Sequence, residues 1–266
     1  MEVVAAAAPT ARTVLEVRDL TVTFTRAKKA PFTAVDRVSL DLAEAEIVGI
    51  VGESGSGKTT LGRCVAGFQA PTSGTVRTGT LLAPERAGER AGRPDVQMVF
   101  QEASTSLNPR LVLWRSVAEA LSGGRSTSKA LRDQAVTELQ RVGLTTEQAG
   151  KRPAEVSGGQ RQRAAIARAL ASGAEVLVCD EAVASLDVSV RAKILNLIER
   201  LRQERGTSFL FISHDMGVVA HLADRLLVMK DGRVVESGPS AALIADPVDD
   251  YTRHLVAAVP ALERDR

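Results

Sequence analysis

The chain contains few cysteines, few aromatic residues and little net charge. Two cysteines occur in 266 residues, aromatic residues make up 3% of the chain, and the formal net charge is +2. We expect Cys64 and Cys179 to be small core residues in a reducing compartment. The small charge and the scarcity of rings for base stacking argue against nucleic acid as a partner.

A long hydrophobic run is also missing. No stretch approaches the ~20 uninterrupted apolar residues of a membrane span, and the longest apolar region, residues 209–229, contains charged residues and histidines. The N-terminal sequence MEVVAAAAPTAR begins with acidic Glu2 and has no basic segment, which is not typical of a signal peptide. With 44% hydrophobic and 25% charged residues, we expect one large α/β unit or two closely joined lobes. Action at a membrane would then require other chains.

A glycine-rich segment follows a short apolar run. The run Ile47–Val51 predicts a buried parallel strand, and it leads directly into GESGSGKTT and a segment of helical character. This is the context of a phosphate-binding loop, in which glycines bring backbone N–H groups onto phosphate oxygens. We expect Lys58 to reach the β- and γ-phosphates of a nucleotide and the Thr59 hydroxyl to bind Mg²⁺. The predicted nucleotide-binding residues of this loop are Gly52, Glu53, Ser54, Gly55, Ser56, Gly57, Lys58, Thr59 and Thr60.

Three polar residues follow two further apolar runs. Asp180 and Glu181 end one run, and His214 follows the other, Ser208–Ser213. Because ligands of doubly wound sheets lie beyond the carboxyl ends of the strands, we expect these side chains to face the phosphate loop. Asp180 would hold Mg²⁺, and Glu181 would polarise the water that attacks the γ-phosphate. His214 would contact the γ-phosphate and orient Glu181 or the water.

A second anion-binding helix start is predicted at residues 157–160. Ser157 is a suitable N-cap for the segment rich in helix formers that begins at Gln160. Gly158 and Gly159 expose backbone N–H groups at the positive end of that helix. One nucleotide does not need two such sites in one chain. We therefore expect this segment to close over the nucleotide of a partner subunit.

Together these motifs resemble those of the nucleotide-binding subunits of ABC transporters, over roughly residues 14–260. The resemblance assigns Walker A to residues 52–60, the Q-loop to Gln101, the signature to Ser157, Gly158, Gly159 and Gln160, Walker B to Asp180, the catalytic base to Glu181, the D-loop to residues 185–187 and the switch to His214. It implies an ATPase with ATP and Mg²⁺ as cofactors. Gln101 would take part in catalysis and in binding Mg²⁺, and Asp187 would contact nucleotide. An aromatic ring would stack on adenine, with Phe24 the first choice and Phe32 the alternative.

Finer features are similar to the branch of importers for oligopeptides, dipeptides and nickel. These features are SLNPR, RPAEVSGGQRQR, DEAVASLDVSVRAKILNLI and the tail DDYTRHLVAAVP. SLNPR and the short tail are more similar to the second of the two ATPases that such importers usually carry. The chain departs from the family in two respects. Ala182 follows Glu181, where the family usually has proline. Some relatives carry a C-terminal cysteine cluster consistent with an iron–sulfur centre, which the two cysteines of this chain, Cys64 and Cys179, cannot form.

This resemblance also implies a setting for the chain. It implies uptake driven from the cytoplasmic face of the cell membrane, with transmembrane permease subunits as partners. A solute-binding protein would be an indirect partner. A related but different second ATP-binding subunit would complete a heterodimer, and a homodimer is the alternative.

The expected fold class is α/β, with a P-loop (RecA-like) core, an N-terminal antiparallel β subdomain and an inserted α-helical subdomain. Apolar and polar residues alternate over residues 14–24 and 38–42, which predicts the antiparallel strands. Residues 133–142 predict the clearest helix of the insertion, residues 188–205 predict a helix ending at Gly206, and residues 226–236 predict a hairpin. The predicted divisions are a flexible tail at 1–13, a single domain at 14–260 with a core lobe at 14–101 and 160–240, a helical lobe at about 102–159, and a C-terminal extension at 241–266.

Two alternatives stay open for the function. The first is an ABC ATPase outside transport, such as the DNA-repair, chromosome-maintenance or translation types, although the motifs here are contiguous and lie in a single domain. The second is a transporter with another cargo, namely glutathione, an antimicrobial peptide or a metal chelate. Because the ATPase chain of a transporter does not contact cargo, its sequence does not identify which cargo is transported.

Overall fold

The computed structural model describes residues 12–25, 30–82, 95–102, 106–124 and 128–259. The strands in these ranges are β1 (Thr13–Phe24), β2 (Phe32–Ala43), β3 (Ile47–Val51), β4 (Ser73–Thr78), β5 (Val96–Val99), β6 (Val176–Asp180), β7 (Ser208–Ser213), β8 (Arg225–Lys230) and β9 (Arg233–Pro239). The α-helices are α1 (Lys58–Val65), α2 (Gly79–Leu82), α3 (Leu113–Ser122), α4 (Lys129–Arg141), α5 (Thr146–Ala149), α6 (Gly158–Ala171), α7 (Val188–Arg205), α8 (Met216–Leu222), α9 (Ser240–Ala245) and α10 (Asp250–Ala257).

A three-stranded antiparallel sheet has the order β2-β1-β4. Alternation of buried and exposed residues places Val17, Leu20 and Val22 of β1 in the core. The strand begins at Thr13, and the preceding Arg12 forms ion pairs with Glu44 and Glu175. The described chain therefore starts inside the tail predicted at residues 1–13, and residues 1–11 of that tail lie outside the described ranges.

The central sheet has six strands in the order β5-β6-β7-β3-β8-β9. The first five pair in parallel, and β9 joins as an antiparallel hairpin partner of β8. All residues of β3, β6 and β7 are buried, as their continuous apolar sequences require for parallel strands covered on both faces. Since these three strands are neighbours, their carboxyl ends place the phosphate loop, Asp180 and His214 at one edge of the sheet.

Helices α3 to α6 lie between β5 and β6 in the chain. Helices α3 and α4 pack on each other and on α6, whose other neighbours include β5 and α7 of the core. The Glu138 carboxylate of α4 accepts a hydrogen bond from the Arg205 guanidinium of α7, with 2.5 Å between Nη2 and Oε2. This bond links the inserted helices to the core lobe. In the described part of the chain, no helix has both the length and the apolarity that crossing a membrane requires.

Candidate nucleotide-hydrolysis site

The phosphate loop connects the end of β3 to the start of α1. Gly52 has φ 152° and Gly57 has φ 102°, values that favour glycine. A Cβ atom at Gly52 would lie 2.1 Å from the Met229 carbonyl oxygen, and one at Gly57 would lie 2.2 Å from the Ala34 carbonyl oxygen. The loop is therefore closely packed between the β8–β9 hairpin and β2, and its form requires glycine at both positions.

Lys58 is buried beneath this loop. Its Nζ atom donates to the carbonyl oxygens of Gly52 and Glu53 at 2.7 Å and to the Ser56 hydroxyl at 3.3 Å. Burial lowers the pKa of the Lys58 ammonium, while nearby carboxylates, of which Glu181 contributes most, raise it. A phosphate group beside Lys58 would favour the charged form, and this arrangement suits a binding site for a polyanion.

Thr59 and Asp180 bring two oxygen ligands together. The Thr59 hydroxyl donates to Oδ1 of Asp180 at 3.0 Å, although the two residues are 121 positions apart. Burial raises the pKa of the Asp180 carboxyl, and the bond from Thr59 acts in the opposite direction. Hard oxygen ligands of this kind suit Mg²⁺. No group of three or more His, Cys, Asp or Glu within the described ranges could hold a metal alone, so Mg²⁺ here would also need oxygens from nucleotide and water.

Glu181 and His214 form a second close pair. Nδ1 of His214 lies 2.9 Å from both carboxylate oxygens of Glu181. Glu181 has φ 51°, an uncommon conformation for a residue with a side chain, and its backbone N–H donates to the carbonyl oxygen of Ile212 at 3.0 Å. Such strain is often held at functional sites, where the surrounding structure fixes it. Both side chains border the same cleft as the phosphate loop.

This cleft has a volume of about 1070 Å³ and brings together most of the predicted site residues. Its walls are formed by Phe24, Ala30, Phe32, Ala34, Gly52, Glu53, Ser54, Gly55, Gly57, Lys58, Thr59, Thr60, Gln101, Glu181, His214 and Leu255. Ser56 and Asp180 lie beneath the walls, bonded to Lys58 and Thr59 respectively. Phe24 and Phe32 are cross-strand partners in β1 and β2, so both rings border the cleft and both could meet a base.

The predicted signature residues do not line the cleft. Ser157 caps α6: its hydroxyl accepts from the backbone N–H of Gln160 at 3.3 Å, and the Gln160 side chain accepts from the Ser157 N–H at 2.9 Å. A Cβ atom at Gly159 would lie 2.4 Å from Cγ1 of Val190, so this glycine allows α6 to approach α7 closely. Ser157 and Gly158 are exposed at the start of the helix. The structure thus places this segment on the surface, away from the chain's own cleft.

Asp187 also lies outside the cleft. Its carboxylate caps α7 by accepting from the Val190 backbone N–H and from the Ser189 hydroxyl, each at 2.9 Å. The backbone bond from Val190, followed by the bond from Ser189, lowers the pKa of this carboxyl. The structure therefore gives Asp187 a capping role, and its contact with nucleotide stays a prediction.

Sequence reasoning did not include two residues of α10. Leu255 lines the cleft, and the Tyr251 hydroxyl accepts from the backbone N–H of Glu53 in the phosphate loop at 2.8 Å. The tail sequence DDYTRHLV contains no motif that predicts a contact with the loop. Only the three-dimensional packing of α10 reveals it.

A family model described as ABC transporter matches residues 35–184, which is more than half of the chain. The chain belongs to the ABC transporter family. A protein of Brucella abortus (strain 2308) whose name describes a peptide import ATP-binding protein is 46% identical over 235 residues, covering 87% of this chain and 70% of the relative. The oligopeptide transport ATP-binding protein OppF of Escherichia coli (strain K12) is 42% identical over 236 residues, covering 87% and 71%.

A solved structure supports the same family and fold. The ATP-binding cassette MJ0796, in a dimeric post-hydrolysis state bound to ADP and Pi, aligns with a TM-score of 0.72 at 29% identity, covering 85% of this chain and 98% of the cassette. The predicted α/β fold class with a P-loop core and an antiparallel β subdomain is confirmed. As an ABC transporter chain of this fold, the protein is an ATPase.

Proposed function

We propose that this chain is the ATP-hydrolysing subunit of an ABC importer for peptides or a related small solute such as nickel. The names of its relatives from Brucella abortus and Escherichia coli support peptide import. The assignment of ATP hydrolysis rests mainly on two hydrogen-bonded pairs of side chains that lie beside the phosphate loop. Thr59 of α1 meets Asp180 at 3.0 Å, and His214 meets Glu181 at 2.9 Å. Asp180 and Glu181 lie at the end of β6, and His214 lies at the end of its neighbour β7.

Nucleotide binding would use the loop and the aromatic side of the cleft. Backbone N–H groups of residues 52–60, the Lys58 ammonium and the positive end of α1 would hold the phosphates of ATP. Phe24 would stack on adenine, with Phe32 as the alternative, since both rings reach the cleft. Thr59, Asp180 and Gln101 would hold Mg²⁺, which neutralises charge on the phosphates when it is bound.

Hydrolysis would depend on Glu181. Its carboxylate would accept a hydrogen bond from the attacking water and so direct the water's lone pair toward the γ-phosphate. His214 would hold the Glu181 side chain in place through Nδ1 and would contact the γ-phosphate with its other ring nitrogen. Gln101, on the wall of the same cleft, would help to position the water.

A second chain would complete the site. The start of α6, with Ser157 and Gly158 exposed and Gly159 and Gln160 following them, would donate hydrogen bonds to the nucleotide held by the opposing subunit. Asp187 would approach the same nucleotide. The dimeric state of the MJ0796 cassette supports such an assembly. We propose a heterodimer with a related ATP-binding subunit. The pair would be held by permease subunits at the cytoplasmic face of the cell membrane and supplied by a solute-binding protein.

A tagged chain purified together with its membrane subunits tests this proposal. In proteoliposomes, the wild-type complex should couple ATP hydrolysis to peptide uptake, and Lys58→Ala should remove both activities. Lys151→Ala is the matched control, because Lys151 pairs with Glu147 on the surface and does not line the cleft. A complex without ATP hydrolysis would contradict the ATPase role, and ATP hydrolysis without uptake of either peptide or nickel would contradict the proposed cargo.

A further inference from the structure

The backbone of Glu53 is held from three directions. Its carbonyl oxygen accepts from Lys58 Nζ at 2.7 Å and from the Ser56 backbone N–H at 3.2 Å. Its N–H donates to the Tyr251 hydroxyl at 2.8 Å. The first two partners belong to the phosphate loop, whereas Tyr251 lies 198 positions later in the chain. Tyr251 therefore fixes the loop from outside.

The position of Tyr251 is itself closely determined. Its side chain is buried, and Nζ of Lys230 lies 4.9 Å from the centre of its ring. Its backbone N–H donates to the Asp249 carboxylate at 2.8 Å, which caps α10. Burial raises the pKa of the Tyr251 phenol, so the group that accepts from Glu53 is neutral at neutral pH.

Glu236 anchors the start of this helix to the central sheet. Its carboxylate oxygens, from β9, accept from the backbone N–H groups of Val248 and Asp249 at 2.9 and 3.0 Å. The β8–β9 turn also contacts the loop directly, because the Gly232 N–H donates to the Ser56 carbonyl oxygen at 3.1 Å. A continuous series of bonds thus runs from the sheet, through the helix start, to the phosphate loop.

The same helix also contributes to the cleft wall and contacts the helix that follows His214. Leu255 forms part of the cleft wall, and α10 packs on α8, which begins two residues after His214. The segment after α10 is also close to α8, since a Cβ atom at Gly217 would lie 3.2 Å from Cγ1 of Val259, two residues beyond the helix. Helix α10 therefore touches both the loop that would hold the phosphates and the helix that follows His214.

We propose that Tyr251 is a positioning residue for nucleotide binding. By accepting the hydrogen bond from the Glu53 N–H, Tyr251 sets the shape of the phosphate loop. This inference rests on the proposed ATPase function and adds a residue to its nucleotide site. Without the phenol oxygen, the Glu53 N–H loses its acceptor, and residues 52–57 can leave the conformation that receives phosphates. The expected effect is weaker nucleotide binding, because the Tyr251 hydroxyl bonds to Glu53 of the phosphate loop, whereas Glu181 bonds to His214.

Tyr251→Phe in the full chain is the test, since it removes one oxygen and keeps the ring. We expect the Kd for ATP and for ADP, measured by calorimetry, to rise about fivefold to tenfold, as the loss of one buried hydrogen bond predicts. In the nucleotide-free protein, hydrogen exchange in the peptide covering residues 52–57 should accelerate for one amide. In the assembled transporter, KM for ATP should rise while kcat changes less than twofold.

Val256→Ala is the matched control, because Val256 packs on the core from the same helix and does not line the cleft. It should lower the unfolding temperature without changing the Kd or the loop exchange. If Tyr251→Phe keeps the wild-type Kd, or if Val256→Ala weakens binding equally, the inference is wrong. A wild-type chain that binds neither nucleotide would instead contradict the proposed function.

A second variant covers the case in which Tyr251→Phe does not fold. Glu236→Gln leaves the phenol intact but removes one of the two acceptors that hold the start of α10. A rise in the Kd for ATP in the same direction, about twofold to fivefold, would support the role of the helix. An unchanged Kd together with unchanged loop exchange would overturn it.

Discussion

Nδ1 of His214 lies 2.9 Å from each carboxylate oxygen of Glu181, across the ends of two neighbouring strands. No bond of comparable length links Glu181 to the phosphate loop among the hydrogen bonds of the described residues. The histidine is therefore the group that orients this carboxylate toward the cleft. The strained φ of 51° at Glu181 fixes the backbone from which the side chain starts.

His214→Ala should lower kcat by about 10²- to 10⁴-fold, the range for loss of a positioned acid–base partner. KM for ATP should change much less, because the phosphate loop is intact. His221→Ala is the matched control: His221 is exposed on α8 and does not line the cleft. Steady-state ATP hydrolysis by the assembled transporter measures both values. Equal losses in the two variants would show that His214 has no special role.

Asp180→Asn should weaken binding of ATP with Mg²⁺ and leave binding of ATP in chelator nearly unchanged. The variant retains an oxygen for Thr59 but loses the charge that Mg²⁺ favours. Calorimetry with and without Mg²⁺ measures the difference, and Asp133→Asn on the exposed face of α4 is the control. Equal weakening under both conditions would show that Asp180 supports the loop rather than the metal.

The stability difference between Asp180→Asn and the wild type should depend on pH, in a direction set by the raised pKa of the Asp180 carboxyl. Because burial raises the pKa of this carboxyl, the native state binds its proton more readily than the unfolded chain does. The charged carboxylate therefore costs stability above the native pKa, and this cost disappears as the pH falls below the unfolded value. Asp180→Asn should be more stable than the wild type at pH 7, and thermal unfolding at lower pH should show the difference shrinking.

Ser157→Arg should block hydrolysis while the isolated chain still binds ATP. The long cationic side chain would stand at the helix start that is proposed to contact the partner's nucleotide. Ser128→Arg is the matched control, since Ser128 caps α4 through the same kind of bond, to the Leu131 N–H at 3.1 Å. Each variant should lose about 1 kcal/mol of stability from its cap, but only Ser157→Arg should lose ATP-driven association with the second ATP-binding subunit in light scattering. Loss of ATP binding by the Ser157→Arg monomer would contradict the two-chain site.

Much of the central sheet follows from the sequence, because buried parallel strands are continuous apolar runs. The predicted strand Ile47–Val51, the strand Ser208–Ser213 and the helix Val188–Arg205 with Gly206 at its end have the bounds found in the structure. The hairpin around residues 231–232 is also present. In each case, local signals of periodicity, glycine and burial agree with the tertiary structure.

Elements that depend on pairing or capping are less well predicted. The segment at residues 38–42 proves to be the second half of Phe32–Ala43, because pairing with β1 extends the strand beyond its clear alternation. The helix predicted at residues 133–142 begins at Lys129, where the Ser128 cap, rather than apolar periodicity, sets its start. The bond from Glu53 to Tyr251 joins residues 198 positions apart, and no local pattern could predict it.

The hydrolysis rate and nucleotide content of Glu181→Gln in the assembled transporter test the central claim most directly. We predict that hydrolysis falls by about 10²- to 10⁴-fold, while ATP stays bound and the two ATP-binding subunits remain closed on it, as seen by retained ATP after gel filtration. Glu147→Gln, on the surface beside Lys151, should behave as the wild type. Normal turnover by Glu181→Gln would contradict the role of this carboxylate and the mechanism built on it.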